Sequence, residues 1–129
     1  MIVVDSSVWI DYLRGIRTQQ TDRLNLVGSR RLVLVGDLVL CEVLQGLRNE
    51  HEARRVEALL QRFAFGRMGG YDVAVEAARI YRTMHARGIT IRKTIDLLIA
   101  TFCLLGSHDL LHADRDFDVF TREFGLKVV

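Results

Sequence analysis

"MIVVDSSVWIDYLRG", residues 1–15, sets an aspartate directly behind a short apolar run. Ile2, Val3 and Val4 are β-branched and too few for a helix, so they read as a buried strand. Apolar residues then recur at Val8, Trp9, Tyr12 and Leu13, a helical spacing that Ser6 or Ser7 can cap and Gly15 can close. A strand that passes straight into a helix is the unit of a parallel α/β sheet. Ligands in such sheets bind at the carboxyl ends of the strands, and Asp5 stands at such an end.

The rest of the chain repeats the alternation. Thr21 to Gly28 reads as a second helix and "RLVLVGD", residues 31–37, as a return to strand. Asp37 is placed to cap "LVLCEVLQGL", and "EHEARRVEALLQRF" is amphipathic through Val56, Leu59, Leu60 and Phe63. "GRMGG" reads as a loop. Asp72 is expected to cap a helix through Ala86 that Gly88 stops, and Thr94 to cap "IDLLIATFCLLG", stopped by Gly106. A short strand at Leu110 and Leu111, a helix from Phe117 to Phe124 and a closing strand from Leu126 to Val129 complete the order. Strands separated by helices call for a mainly parallel central sheet between two helical layers, a three-layer α/β/α sandwich.

Composition narrows the class. Half of the 129 residues are apolar, there is no proline, and no Gly/Ser-rich or single-charge stretch divides the chain. One domain spanning residues 1–129 is expected, since a chain near this size buries roughly 70% of its unfolded surface. The longest mostly apolar segment, Leu97 to Leu105, is far below the ~20 residues that span a bilayer, and no basic stretch precedes the first apolar run; a cytoplasmic protein is expected, with no membrane partner. Cys41 and Cys103 fall within apolar helical stretches and read as small hydrophobes, neither disulfide nor zinc ligands. The net charge is only +2, but the basic side is 16 Arg to 2 Lys. Arginine grips phosphate bidentately, although its preference over lysine is equally explained by genome composition.

Four acids then need an account. A helix dipole favours an acid at its N-terminus, and capping explains Asp5, Asp96 and Asp114 when each is taken singly. Glu42 resists that explanation. It lies mid-helix between Leu38, Val39, Leu40 and Cys41 on one side and Val43 and Leu44 on the other, where a solvated face would be more polar. Gly46 at i+4 from Glu42, and Ala100 and Cys103 at i+4 and i+7 from Asp96, keep the surroundings small. Carboxylates drawn into one cleft repel by about 4 kcal/mol per pair at 4 Å and an effective dielectric near 20. A cation must offset this, and a donor set of oxygen alone suits hard ions such as Mg²⁺ or Mn²⁺. Such ions lower the pKa of water and orient it for attack on a phosphodiester.

The segments "VVDSSVWIDYL" around Asp5, "LVLCEVLQGL" around Glu42, "TIDLLIATFCLLG" around Asp96 and "LLHADRDF" around Asp114 together resemble a PIN-domain ribonuclease, most of all the VapC toxins of prokaryotic toxin–antitoxin pairs. The likeness covers the whole chain, with the four acids in order 37, 54 and 18 residues apart. It implies a Mg²⁺- or Mn²⁺-dependent endoribonuclease cutting tRNA or rRNA. Asp5 and Asp96 would be direct ligands of a first ion, Asp114 would complete the site or help to hold a second, and Glu42 would position or deprotonate the attacking water. Asp116 is auxiliary in this scheme. Ser7 could donate to Asp5 or to substrate, or simply cap. His112 departs from the family, where a threonine is common. The resemblance further implies an RNA substrate, a homodimer, and a small DNA-binding antitoxin whose tail enters the acidic cleft. Trp9, Tyr12 and Leu13 could dock that antitoxin, or could be ordinary core.

Other assignments fit worse. "DRDFDVFTREFG" alternates acids as a calcium loop does, but has Val119 where loop position six needs Gly and Gly125 where position twelve needs Glu. A haloacid-dehalogenase phosphatase needs a second acid two residues after Asp5, where Ser7 stands. A phosphate-receiver domain needs a mid-chain acceptor aspartate after a strand and a lysine after a late one. Within the fold, the alternatives are a DNA-cleaving nuclease and a catalytically weak RNA- or protein-binding member.

Overall fold

The computed structural model describes residues 1–28 and 32–129, so Arg31, at the start of the expected second strand, lies outside the described residues. The order is β1 (Ile2–Val4), α1 (Ser6–Leu13), α2 (Gln19–Val27), β2 (Val33–Gly36), α3 (Asp37–Gln45), α4 (Glu50–Leu60), β3 (Ala64–Gly66), α5 (Tyr71–Ala86), α6 (Thr94–Gly106), β4 (Asp109–Leu111), a 3₁₀ turn (Arg115–Phe117) and α7 (Asp118–Phe124). The strands line up as β3-β2-β1-β4, and every pairing between them is parallel. The expected three-layer sandwich is present, with its sheet parallel throughout.

The three strands β2, β1 and β4 are buried on both faces, as parallel sheets require, while the edge strand β3 leaves Phe65 exposed. Val3, Val4, Val33, Leu110 and Leu111 are fully inside. Helices α1, α2, α3 and α4 pack as a connected series, α5 lies against α6, and α6 reaches both α3 and β4. Two small residues fix close approaches in the sheet. A Cβ at Gly36 would fall 2.2 Å from the Met68 side chain, and one at Gly66 would fall 2.8 Å from Leu34 and 2.9 Å from Phe102. Among the described residues no helix is long and apolar enough to cross a membrane.

Several local expectations shift by a residue or two. The cap of α1 is Asp5, which accepts from the Ser7 amide, so neither serine is the cap. Helix α2 starts ahead of Thr21, because Thr18 and Thr21 form a reciprocal capping box. Asp37 is the first residue of α3 and its Oδ1 accepts from both the Leu38 and Met68 amides, each at 2.8 Å. It thereby ties the "GRMGG" loop to the helix start. Asp72 and Thr94 likewise lie inside their helices, whose N-caps are Gly70 and Lys93. Gly15 and Gly88 take positive φ just past their helices, whereas α6 includes Gly106 and turns left-handed at Ser107.

Two differences concern the sheet itself. Strand β3, unforeseen in the sequence, pairs Ala64, Phe65 and Gly66 with Leu34, Val35 and Gly36. The expected closing strand is reduced to a single bridge between Leu110 and Val128. Cys103 is buried as expected, but Cys41 is exposed on the outer face of α3. Trp9 is core, 1% exposed, stacked obliquely on Phe63 with ring centroids 5.4 Å apart.

Candidate metal centre

The site follows from the sheet order. β1 has β2 on one side and β4 on the other, so connections leave it in opposite directions and a crevice opens at its carboxyl end. Asp5 emerges there and donates its amide to the Leu111 carbonyl, which ties it to the end of β4. Asp114 follows β4 by three residues. Glu42 enters from α3, and Asp96 from the first turn of α6. The four acids singled out in the sequence therefore converge on one edge.

Serines hold two of them. Asp5 Oδ2 accepts from Ser7 Oγ at 2.6 Å and from the Ser7 amide at 3.1 Å, and Ser7 Oγ in turn accepts from the Ala113 amide at 3.1 Å. This links the start of α1 to the loop that carries Asp114. Ser6 Oγ donates to Glu42 Oε1 at 3.1 Å. Burial raises the Glu42 carboxyl above its usual range, and the negative charge of Asp5 adds to the effect.

Asp96 is the most constrained. Its residue is 6% exposed, and its Oδ2 is fully buried without a hydrogen-bond partner. Desolvation pushes its pKa up to about 7; Lys93 opposes this, and the charges of Asp5, Asp114 and Glu42 add to it. An unpartnered buried carboxylate oxygen is costly unless a cation meets it. Asp96, Asp114 and Asp116 each offer an oxygen to a common point, the three atoms lying within 4.8 Å of one another. Donors that are all carboxylate suit a hard divalent ion, so the residues fit the group that the sequence implies. Asp116, ranked as auxiliary from sequence, is a full member of this trio, while Asp5 stands behind it on Ser7.

Lys93 was not singled out in the sequence. Its Nζ stands 3.0 Å from Asp114 Oδ2, 3.4 Å from Asp116 Oδ2 and 3.8 Å from Asp96 Oδ2. The hydrogen bond to Asp114 holds the ammonium charged well above the usual lysine range. Asp114 moves the other way, drawn down first by the Asp116 amide that its Oδ1 accepts at 2.9 Å and then by Lys93. Only the position of Lys93 just before the Thr94 helix could have flagged it. A lone basic residue there reads as solvated surface.

The remaining residues are scaffold and rim. His112 Nδ1 accepts from the Asp114 amide at 3.2 Å while its ring packs 5.0 Å from Phe117, so this departure from the family pattern anchors the acid-bearing loop. Ala100 and Cys103 belong to the core, buried behind Asp96 on the same helix. Gly46 caps the end of α3, where an added Cβ would approach only backbone oxygens, at 3.5 Å and 3.8 Å, so its small size does not serve Glu42. Beside the trio opens a cleft of about 510 Å³ whose walls include Arg92, Lys93, Arg115 and Arg122 together with Asp96 and Asp116. Cations around an acidic centre can hold a polyanion whose reacting phosphate meets the carboxylates.

The sheet carries its acids at the carboxyl edge, and the profile of the PIN domain matches residues 2–123. The chain belongs to the PIN-domain family. Within it, the chain is similar to ribonuclease VapC11 of Mycobacterium tuberculosis and to VapC ribonuclease Mb1587 of Mycobacterium bovis. Each is 29% identical over 128 residues, covering 95% of this chain and 92% of the relative. The fold is that of VapBC2 from Rickettsia felis, solved bound to a DNA fragment from its promoter, with a TM-score of 0.79 at 16% identity over 100% of this chain and 98% of that one.

Proposed function

We propose that the chain is a VapC-type toxin, a Mg²⁺- or Mn²⁺-dependent endoribonuclease that cleaves tRNA or rRNA. The observation that carries this reading is the buried Asp96 oxygen without a hydrogen-bond partner, converging with Asp114 and Asp116. Those three residues would hold the ion, and Asp5, held by Ser7, would add its negative charge to the site. Bound there, a divalent ion supplies polarisation of a phosphoryl oxygen and a lowered pKa for water.

The protein's own residues do the rest. Ser7 fixes the Asp5 carboxylate in one orientation and, through the Ala113 amide, sets the Asp114 loop against it. Glu42, oriented by Ser6 and raised in proton affinity by burial, accepts the proton of the attacking water. Arg92, Arg115 and Arg122 on the cleft wall hold the flanking phosphates of the RNA. The cut leaves the chain divided at one phosphodiester, with water added across it.

A partner follows from the relatives. The toxin would be held by a cognate antitoxin, as the VapBC assembly of R. felis pairs two proteins on promoter DNA. It would act as a homodimer in the cytoplasm. Tyr12, exposed beside a cavity of about 220 Å³ lined also by Trp9, Leu24 and Phe63, offers an apolar seat for the antitoxin.

Incubation with labelled tRNA, rRNA fragments and DNA of matched length tests the activity. Cleavage of RNA is expected to stop in EDTA and to return when Mn²⁺ is added in excess. Cleavage that persists in EDTA would exclude the proposed chemistry, and cutting of DNA alone would replace RNA as substrate.

A further inference from the structure

The cation that the acid cluster holds in this structure belongs to the chain itself. Lys93 donates to Asp114 and lies within ion-pair distance of Asp116 and Asp96, the same three carboxylates that converge as a metal site. An ammonium cannot share that point with a divalent ion. Mg²⁺ takes its oxygens at about 2.0–2.1 Å, and a second positive charge next to it would have its field only partly screened.

The side chain is built to leave. Its side chain is 55% exposed, and the residue, the N-cap of α6 in extended backbone, gives the helix only its carbonyl, which accepts from the Leu97 amide. It can therefore rotate into solvent without breaking a helical hydrogen bond. The residue type fits the task as well. A chain with 16 Arg and 2 Lys places one of its two lysines here. Lysine presents a compact charge with three rotatable donors, which three converging carboxylates can surround.

We propose that Lys93 is a resident counter-cation that competes with the divalent ion for Asp96, Asp114 and Asp116, so that metal loading requires its ammonium to withdraw. The inference rests on the metal site proposed above. It predicts that metal affinity is set by an internal competitor as much as by the ligands. Without metal, Lys93 relieves the repulsion among the acids and keeps the loop of Asp114 and Asp116 closed against α6.

Mn²⁺ binding measured by calorimetry and by the electron paramagnetic resonance of free Mn²⁺, on the full chain in low salt, tests this without any nuclease assay. Lys93→Met keeps the length of the stem and removes the charge, and is expected to bind Mn²⁺ about tenfold more tightly, a gain that shrinks as salt screens the site. Lys93→Arg keeps the charge and is expected to stay near wild type. Circular dichroism confirms that each variant is folded, as an exposed stem allows. Binding by Lys93→Met that is equal to or weaker than wild type would overturn the inference while leaving the metal site standing. Equally tight binding by Lys93→Arg would also overturn it, because charge would not be the cause. No saturable Mn²⁺ binding by any of the three proteins would remove the metal-site reading and this inference with it.

Discussion

Asp96→Asn is expected to lower RNA cleavage by about a thousandfold or more while the protein stays folded. The substitution keeps the shape of the side chain and removes the charge that a divalent ion needs, and a bound ion contributes several kcal/mol to the transition state, each ~1.4 kcal/mol being tenfold in rate. Loss of folding is not the cause, because in the metal-free protein the Asp96 carboxylate is itself a burden. Its pKa rises from the ordinary 3.8 to about 7 on folding. A carboxyl whose folded value lies above its unfolded one favours the folded state at low pH, and that contribution is lost as pH climbs between those two values. Asparagine stays neutral throughout. The variant should therefore melt, without metal at pH 8, at or above the wild-type temperature, and the advantage should vanish near pH 4. Cleavage within tenfold of wild type would remove Asp96 from the mechanism. A melting temperature far below wild type would show that its role is structural.

Phe117→Ala should have the opposite profile, a large loss of stability. Phe117 is fully buried at the end of the 3₁₀ turn that Asp114 caps and Asp116 lies within, with the rings of His112 and Phe120 at 5.0 Å and 6.4 Å. Truncating a buried phenylalanine costs about 3–5 kcal/mol through lost burial and the cavity left behind. That is a large share of the ~5–15 kcal/mol that holds a domain of this kind together. In urea the unfolding midpoint should fall while the slope is unchanged. A loss under about 1 kcal/mol would mean that the turn carrying two of the acids is not anchored by this ring.

What the sequence disclosed were features whose cause is local. Three β-branched residues followed by a helical spacing identify β1 and α1, and repetition of that alternation is enough for a parallel sheet. The meeting of Asp5 and Asp114 was legible because both follow strands, and parallel topology sends such points to one edge. Glu42 was legible through contrast, an acid among apolar neighbours. Features created by contacts distant in sequence were hidden. β3 is three residues long, too short to show a period of two, and exists because β2 offers it an edge. Lys93 meets Asp114 across 21 residues, and nothing near it in the chain foretells that partner. The equal standing of Asp116 depends on the 3₁₀ turn that swings it beside Asp114. The helix starts moved by one residue where the backbone amides found a partner other than the expected cap, as at Asp37.

The central claim is that carboxylates from α6 and from the loop after β4 share one divalent ion. Crystals of the protein soaked in Mn²⁺, with anomalous scattering recorded at the manganese edge, test it most directly. An anomalous peak within coordination distance of Asp96, Asp114 and Asp116, with the Lys93 ammonium displaced from them, is the result expected. A fully occupied peak elsewhere, or none at millimolar Mn²⁺ with Lys93 still seated among the three acids, would contradict the account.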